Sequence, residues 1–256
     1  MSTTNMQVGD VIGWFKSGLN LTFKNPGAFI VMGLVFGIIS IVLAFIPVLG
    51  AIAMMVLAPV FYGGFIYAAR EEDQGRKAEI AHLFVGFQQP GKIGPMMMLC
   101  LPSVAAGVVI AILAFVLIGG SIMALAMGGN GGGGGMGVLG LLLFALLAFA
   151  VGLAAAAMVY FAVPRVMLDN IEPIAAMKES LGVVLANVAS ILVGFIVIGL
   201  IFMVIAIIPL LGALAIFLIG MPASLCAMYF GYRQAFGGSV AQVEPPMPPA
   251  PPPVAP

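Results

Sequence analysis

Apolar residues in this chain come in long unbroken runs separated by short polar stretches, not in the period-two alternation of a half-buried strand. Taken with the proline and glycine breakers, the runs mark six candidate spans at about 27 to 46, 51 to 69, 100 to 127, 138 to 163, 188 to 208 and 213 to 231. A helix needs roughly 20 apolar residues to cross a bilayer core of about 30 Å. A membrane β-barrel would place a polar residue at every second position, and continuous runs such as Val138 to Val163 exclude it. The spans are predicted to be helices, which satisfy their own backbone hydrogen bonds where no water can.

A second pattern precedes each pair of spans. In "VGDVIGWFKSGLNLTFKNP", Val8, Val11, Ile12, Phe15, Leu19, Thr22 and Phe23 recur at helical spacing, with Asp10, Lys16, Asn20 and Lys24 largely off that stripe. "KAEIAHLFVGFQQPG" repeats the idea with Ile80, Leu83, Phe84 and Phe87, and "EPIAAMKESLGVVLANV" does so again, with Pro173 suited to a first helical turn. Three amphipathic helices are predicted, either lying in the interface with Trp14 at headgroup level or packed under the bundle as a rim.

The connections alternate in kind. Pro47 to Gly50 and Pro209 to Gly212 are four-residue turns joining antiparallel neighbours, and "GGNGGGGGMG", Gly128 to Gly137, reads as a flexible linker. That glycine run has no Lys, Ser or Thr to complete a nucleotide loop and no strand before it. All nine basic and all nine acidic residues fall in the other set of segments. Six crossings therefore put every charge on one face, which the positive-inside rule makes cytoplasmic.

Composition agrees with this reading. The chain is 63% apolar and 7% charged, with a mean hydropathy of +1.24, whereas soluble domains carry about a quarter charged residues. Formal net charge is zero, so bulk charge implies no nucleic-acid partner. The N-terminal "MSTTNMQVGD" lacks the basic start of a secretory signal, and no cleaved targeting peptide is expected. Cys100 and Cys226, inside apolar segments, read as small packing residues.

The hexapeptide "IPVLGA" at 46 to 51 returns as "IPLLGA" at 208 to 213. A shift of 162 positions also superposes Lys16 on Lys178, Leu19 on Leu181 and Asn25 on Asn187; one further residue of shift aligns Pro59 with Pro222 and Arg70 with Arg233. Proline, asparagine and charged residues are scarce in these segments, so their coincidence defines a repeat, with copies at about 8–70 and 171–233. A degenerate middle hairpin spans about 78–165, and two intervening spans make the repeat parallel.

Candidate functional residues are few. Arg70, Arg165 and Arg233 are placed to end helices at the charged face, as lipid-headgroup or helix-end anchors together with Trp14. Pro59 and Pro222 fall mid-span, where a proline kinks a helix, and matching interruptions in two repeats can flank a transporter's central cavity. Gly33 and Gly37 suggest close helix contact. No ionisable residue lies within a proposed span, against the habit of ion-coupled carriers. The single histidine, His82, has no nucleophile or metal-ligand pattern around it, and "REEDQGRK" at 70 to 77 reads as a solvated turn. The tail "EPPMPPAPPPVAP" is an extended polyproline-like segment.

The stretches "GWFKSGLNLTFKNP", "IPVLGA", "LAPVFYGGFIYAAR", "AHLFVGF", "FAVPRVMLDNIEPIAAMKESL" and "YFGYRQAF" resemble an uncharacterised family of bacterial inner-membrane proteins, over about residues 10 to 237. That family looks distantly similar to the membrane domain attached to some glycerophosphodiester phosphodiesterases. The resemblance implies a bacterial inner membrane and brings no catalytic residue. The soluble phosphodiesterase domain is not in this sequence, so its activity is not implied.

The expectation is an all-α integral membrane protein: six transmembrane helices in three hairpins with a parallel internal repeat, plus three amphipathic helices. Residues 1–237 form a single membrane domain with both termini cytoplasmic, and 238–256 a disordered proline-rich tail. It is expected to be no enzyme and to need no cofactor or metal, with membrane lipids, other membrane proteins or its own copies as partners. A scaffold, assembly or lipid-organising role leads. The alternative is a channel or carrier for an uncharged or lipid-like molecule, its path near Pro59 and Pro222.

Overall fold

The computed structural model describes residues 5–126 and 133–237. The proline-rich tail and the first part of the glycine-rich link lie outside the described residues. The elements are α1 (Val8–Lys24), α2 (Pro26–Ala44), α3 (Leu49–Asp73), a 3-10 segment (Ile80–Phe84), α4 (Val85–Gln88), α5 (Ile93–Met98), α6 (Leu101–Ala126), α7 (Gly133–Tyr160), α8 (Ala162–Asp169), α9 (Pro173–Ala186), α10 (Val188–Ala206), α11 (Leu211–Ala215), a π segment (Ile216–Gly220) and α12 (Met221–Phe236). Among the described residues, six stretches are long and apolar enough to cross a membrane: Pro26–Ala44, Leu49–Asp73, Ile93–Gly120, Leu139–Asp169, Val188–Ala206 and Leu211–Phe236.

The two hexapeptides fold alike, bond for bond. Leu49 N–H donates to Pro47 O and Leu211 N–H to Pro209 O, both at 2.7 Å, and Gly50 and Gly212 N–H reach Ile46 and Ile208 O, both at 2.9 Å. The central residues Val48 and Leu210 have φ of 63° and 61°, with ψ of −59° and −55°. This is a γ-turn with positive φ, a rare and strained arrangement for a residue with a Cβ. Glycine follows because the next helix starts against the end of the previous one: a Cβ on Gly50 would overlap Leu43 O, and one on Gly212 would overlap Ile205 O.

The change of shift from 162 to 163 coincides with a change of helix geometry. Between Gly212 and Pro222 the helix widens into the π segment, where Met221 N–H bonds Ile216 O, five residues back. Such a bulge absorbs one inserted residue without breaking the helix. Pro222 follows as the second residue of α12, inside the unbroken helical stretch Leu211–Phe236. Its counterpart Pro59 lies inside the continuous α3.

Burial is concentrated toward the charged end of the molecule. Phe29 and Met32 of α2, Phe65 and Ile66 of α3, Leu83, Phe161, Ala176 and Cys226 are fully buried, whereas Phe45 and Leu210 beside the hairpin turns are exposed. Helix α1 packs across α12 and α10; a Cβ on Gly18 would run into the backbone of Ala223 and Ala227. Helices α6 and α7 pair with each other, and α7 also contacts α8 and α9. This middle hairpin is the least covered: 11% and 6% of its two spans are buried, against 44% for the span of α3.

Several expectations need correction. The segment 78–91 forms no single amphipathic helix but a 3-10 turn followed by one α-helical turn. The Leu83 carbonyl oxygen would overlap a Cβ on Gly64 of α3, so tertiary docking sets its backbone rather than helical periodicity. Helix α7 stops at Tyr160, and Arg165 lies in the short α8 that carries the fourth span on to Asp169. Gly133 to Gly135 are helical, so the link is shorter than Gly128 to Gly137.

Candidate functional site

The charges meet in one polar belt that ties helix ends together. Asp73, closing α3, accepts from Tyr229 Oη at 3.0 Å and pairs with Arg233 of α12. Asp169, closing α8, accepts from Tyr232 Oη at 2.6 Å and pairs with Arg165. Arg165 Nε and Nη2 both reach Glu179 Oε2 on α9, at 3.0 and 2.7 Å, and its guanidinium lies 4.7 Å from the Phe236 ring centroid. The last turns of α12 are thus held between α3 and α8, and α8 is held to α9, by charge-assisted bonds.

Beside this cluster, the stretch read as a solvated turn divides: Gln74 to Lys77 are exposed, while the glutamates before them are folded in. Glu71 and Glu72 are buried, at 7% and 5% exposure. Glu71 pairs with Arg76 and Arg70. Glu72 accepts from Ala78 N–H at 2.8 Å and Asn25 Nδ2 at 3.0 Å, and Lys24 Nζ reaches the Glu72 carbonyl at 3.0 Å. Buried carboxylates need such partners to remain charged. Asn25 also accepts from Ala28 N–H, capping α2, and its repeat counterpart Asn187 accepts from Met6 N–H at 2.8 Å.

Lys92 arrives from the loop before α5 and donates to Val166 O at 2.9 Å and Met167 O at 2.7 Å, covering carbonyls at the end of α8 where a cation is favoured. Burial lowers the proton affinity of its ammonium from the usual lysine value, and the nearby Arg70 guanidinium lowers it further, while Asp169 opposes both. The Arg70 guanidinium lies 4.6 Å from the Tyr67 ring centroid, and its buried Nε has no hydrogen-bond partner among the described residues.

The anchor residues therefore divide. Arg70 and Arg233 lie in the last turns of α3 and α12. Arg165 is 9% exposed and faces carboxylates inside the belt, so it does not reach out to headgroups. Trp14 is 4% exposed: its Nε1 donates to Gln234 Oε1 at 2.6 Å, and its ring meets Phe161 edge-on at 6.2 Å. The docking of α1 against α12 removes it from the interface. His82 Nδ1 accepts from Glu79 N–H at 3.1 Å. Cys100 and Cys226 are buried and free, and no group of three or more His, Cys, Asp or Glu is placed to hold a metal ion among the described residues.

Sequence reading missed Tyr229, Tyr232 and Lys92. The two tyrosines stand three apart in "YFGYRQAF", a spacing that puts both on one helix face, and this was the available signal. Lys92 carried none, because its partners are carbonyls 74 and 75 residues away.

Close contacts occupy the region between α2, α3 and α12. Pro59 and Pro222 are buried, the Pro222 ring is 3.2 Å from where a Gly33 Cβ would stand, and Phe36 meets Phe61 at 5.6 Å and Phe65 at 6.4 Å. Neither proline lines any of the cavities found among the described residues, of which two are walled by several helices. One, of about 250 Å³, has walls from α1, α7, α10 and α12, including Phe15, Tyr160, Phe195 and Phe202. The other, of about 520 Å³, is an open groove between α6, α7 and α9; it is almost wholly apolar, with Lys178 among its lining residues.

Fold and belt together define an all-α membrane protein whose polar chemistry is gathered at one end of its helices. The chain is similar to a probable inner membrane protein of Burkholderia thailandensis, with 27% identity over 242 residues, 88% of this chain and 90% of the relative. No family model matches the chain, and no solved structure does. Nothing in these comparisons bears on the likeness to the phosphodiesterase-attached membrane domain.

Proposed function

We propose that the protein is a non-enzymatic multi-pass protein of the bacterial inner membrane that works by association, as a lipid-organising element and scaffold. The observation that carries this reading is the contrast between a belt that fixes one set of helix ends and a middle hairpin left almost bare, with 6% of the α7 span buried. A bare, grooved hairpin offers lateral surface to lipids or to other membrane proteins. The belt's carboxylates are engaged by arginines, tyrosines and backbone donors, which supports a structural task for them. The name of the Burkholderia relative supports the inner membrane, and gathering of the basic residues on one side supports a cytoplasmic belt and cytoplasmic termini.

Purification of the whole chain in mild detergent, followed by native mass spectrometry and lipid extraction, tests this. A reproducible set of bound lipids, copies or partners is expected, and a bare monomer in every preparation overturns it. For orientation, Lys77→Cys is expected to be shielded from an impermeant thiol reagent in intact cells, while Leu49→Cys at the hairpin turn is labelled. The reverse pattern inverts the topology.

A further inference from the structure

We propose that the groove between α6, α7 and α9 holds an acyl chain of an anionic phospholipid, with Lys178 on the lipid phosphate; this rests on the lipid-organising reading above. The groove of about 520 Å³ is walled by Ala105 of α6, Ala154 and Met158 of α7 and Ile174 of α9, in the charged-end halves of the two spanning helices. Its walls offer an acyl chain contact without asking it to leave an apolar medium, so the walls alone select no particular lipid.

Lys178 supplies the selection. It lines the same groove, is exposed and has no ion pair or hydrogen bond among the described residues. Its own helix cannot neutralise it, because the positions three and four residues away are Ile174, Ala175, Leu181 and Gly182, none of them acidic. The adjacent Glu179 is committed to Arg165 at 2.7 Å. An uncompensated ammonium at the edge of a lipid-facing apolar groove is complementary to one negatively charged headgroup, and basic pockets between membrane helices bind such headgroups. The cation strengthens attraction to an anionic lipid by about fivefold over a zwitterionic one.

The test uses the full chain, stripped of lipid in detergent and titrated with phosphatidylglycerol or phosphatidylcholine of identical chains, with bound lipid counted by native mass spectrometry. Wild-type protein is expected to take up one phosphatidylglycerol with a preference of about fivefold. Lys178→Gln should abolish the preference and leave phosphatidylcholine binding unchanged. Ala105→Leu and Ala154→Leu, made separately at exposed positions, should each weaken uptake of both lipids by filling the groove. Lys16→Gln, at the matching position of the other repeat, should retain the preference. Thermal unfolding and Trp14 emission check that each variant is folded. Equal preference in wild type and Lys178→Gln overturns the assignment while leaving the lipid-organising reading intact; failure of every variant and of wild type to retain any lipid sinks both.

Discussion

Val48 and Leu210, 162 positions apart, share one left-handed backbone conformation at the centres of two matching γ-turns. Each is followed two residues later by a glycine whose missing Cβ lets the next helix start against a carbonyl of the previous one. Gly50→Ala and Gly212→Ala are expected to cost about 1–3 kcal/mol each, because the oxygen they meet is backbone and cannot swing away. Val48→Gly and Leu210→Gly should be neutral or stabilising by up to about 1 kcal/mol, since relief of the positive φ outweighs the entropy cost of glycine. Chemical unfolding of the four variants in detergent checks the opposition of sign.

Arg165 is predicted to be the most sensitive charge in the chain. Arg165→Met removes the guanidinium that Asp169 and Glu179 share, and is expected to cost about 3–5 kcal/mol. The triple change Arg165→Met, Asp169→Asn and Glu179→Gln should recover much of that loss. Equal destabilisation by the single and the triple variant would show that the packing of the guanidinium on Phe236, not its charge, holds α8 in place.

Trp14 is the sole tryptophan of the chain, so its fluorescence reports directly on α1. Its emission is expected to be blue-shifted and poorly quenched by both brominated lipids and acrylamide. Strong quenching by lipids brominated near the headgroup would restore α1 to the bilayer interface. Gln234→Leu, which leaves the indole N–H unpaired, should cost about 1–3 kcal/mol.

Lys92 makes stability depend on alkaline pH. Burial and Arg70 lower its proton affinity in the folded state, so between that lowered value and the ordinary lysine pKa of about 10.4 the folded chain binds fewer protons than the unfolded one. Stability from this group therefore rises with pH across the window and levels off above it. Unfolding measured from pH 8 to 11 should show this upward contribution in wild type and lose it in Lys92→Met.

The positions that sequence reading recovered are those whose causes are local. The spans of α2 and α10 follow from unbroken apolar runs, and the two turns from scarce prolines and glycines in a repeated register. Positions that escaped it have causes lying far along the chain. Trp14 belongs to an amphipathic helix that suits a bilayer surface as well as a protein core, and only the approach of Gly18 to Ala223 and Ala227 decides between them. Glu71 and Glu72 look solvated in a run of mixed charge, yet Asn25 of the α1–α2 corner and Arg76 draw them inside.

By itself the sequence determined how many times the chain can cross a bilayer, where it must turn, and that its charges gather at one set of helix ends, because hydrophobic length and the scarcity of breakers act through each residue's own neighbourhood. Tertiary structure alone decided that α1 is buried, that 78–91 is not one helix, that a π bulge precedes Pro222, and that a bare groove lies beside a lysine with no ion pair among the described residues. Those outcomes depend on which surfaces meet, and a one-dimensional pattern of apolar and polar residues does not encode whether protein or lipid will cover a given face.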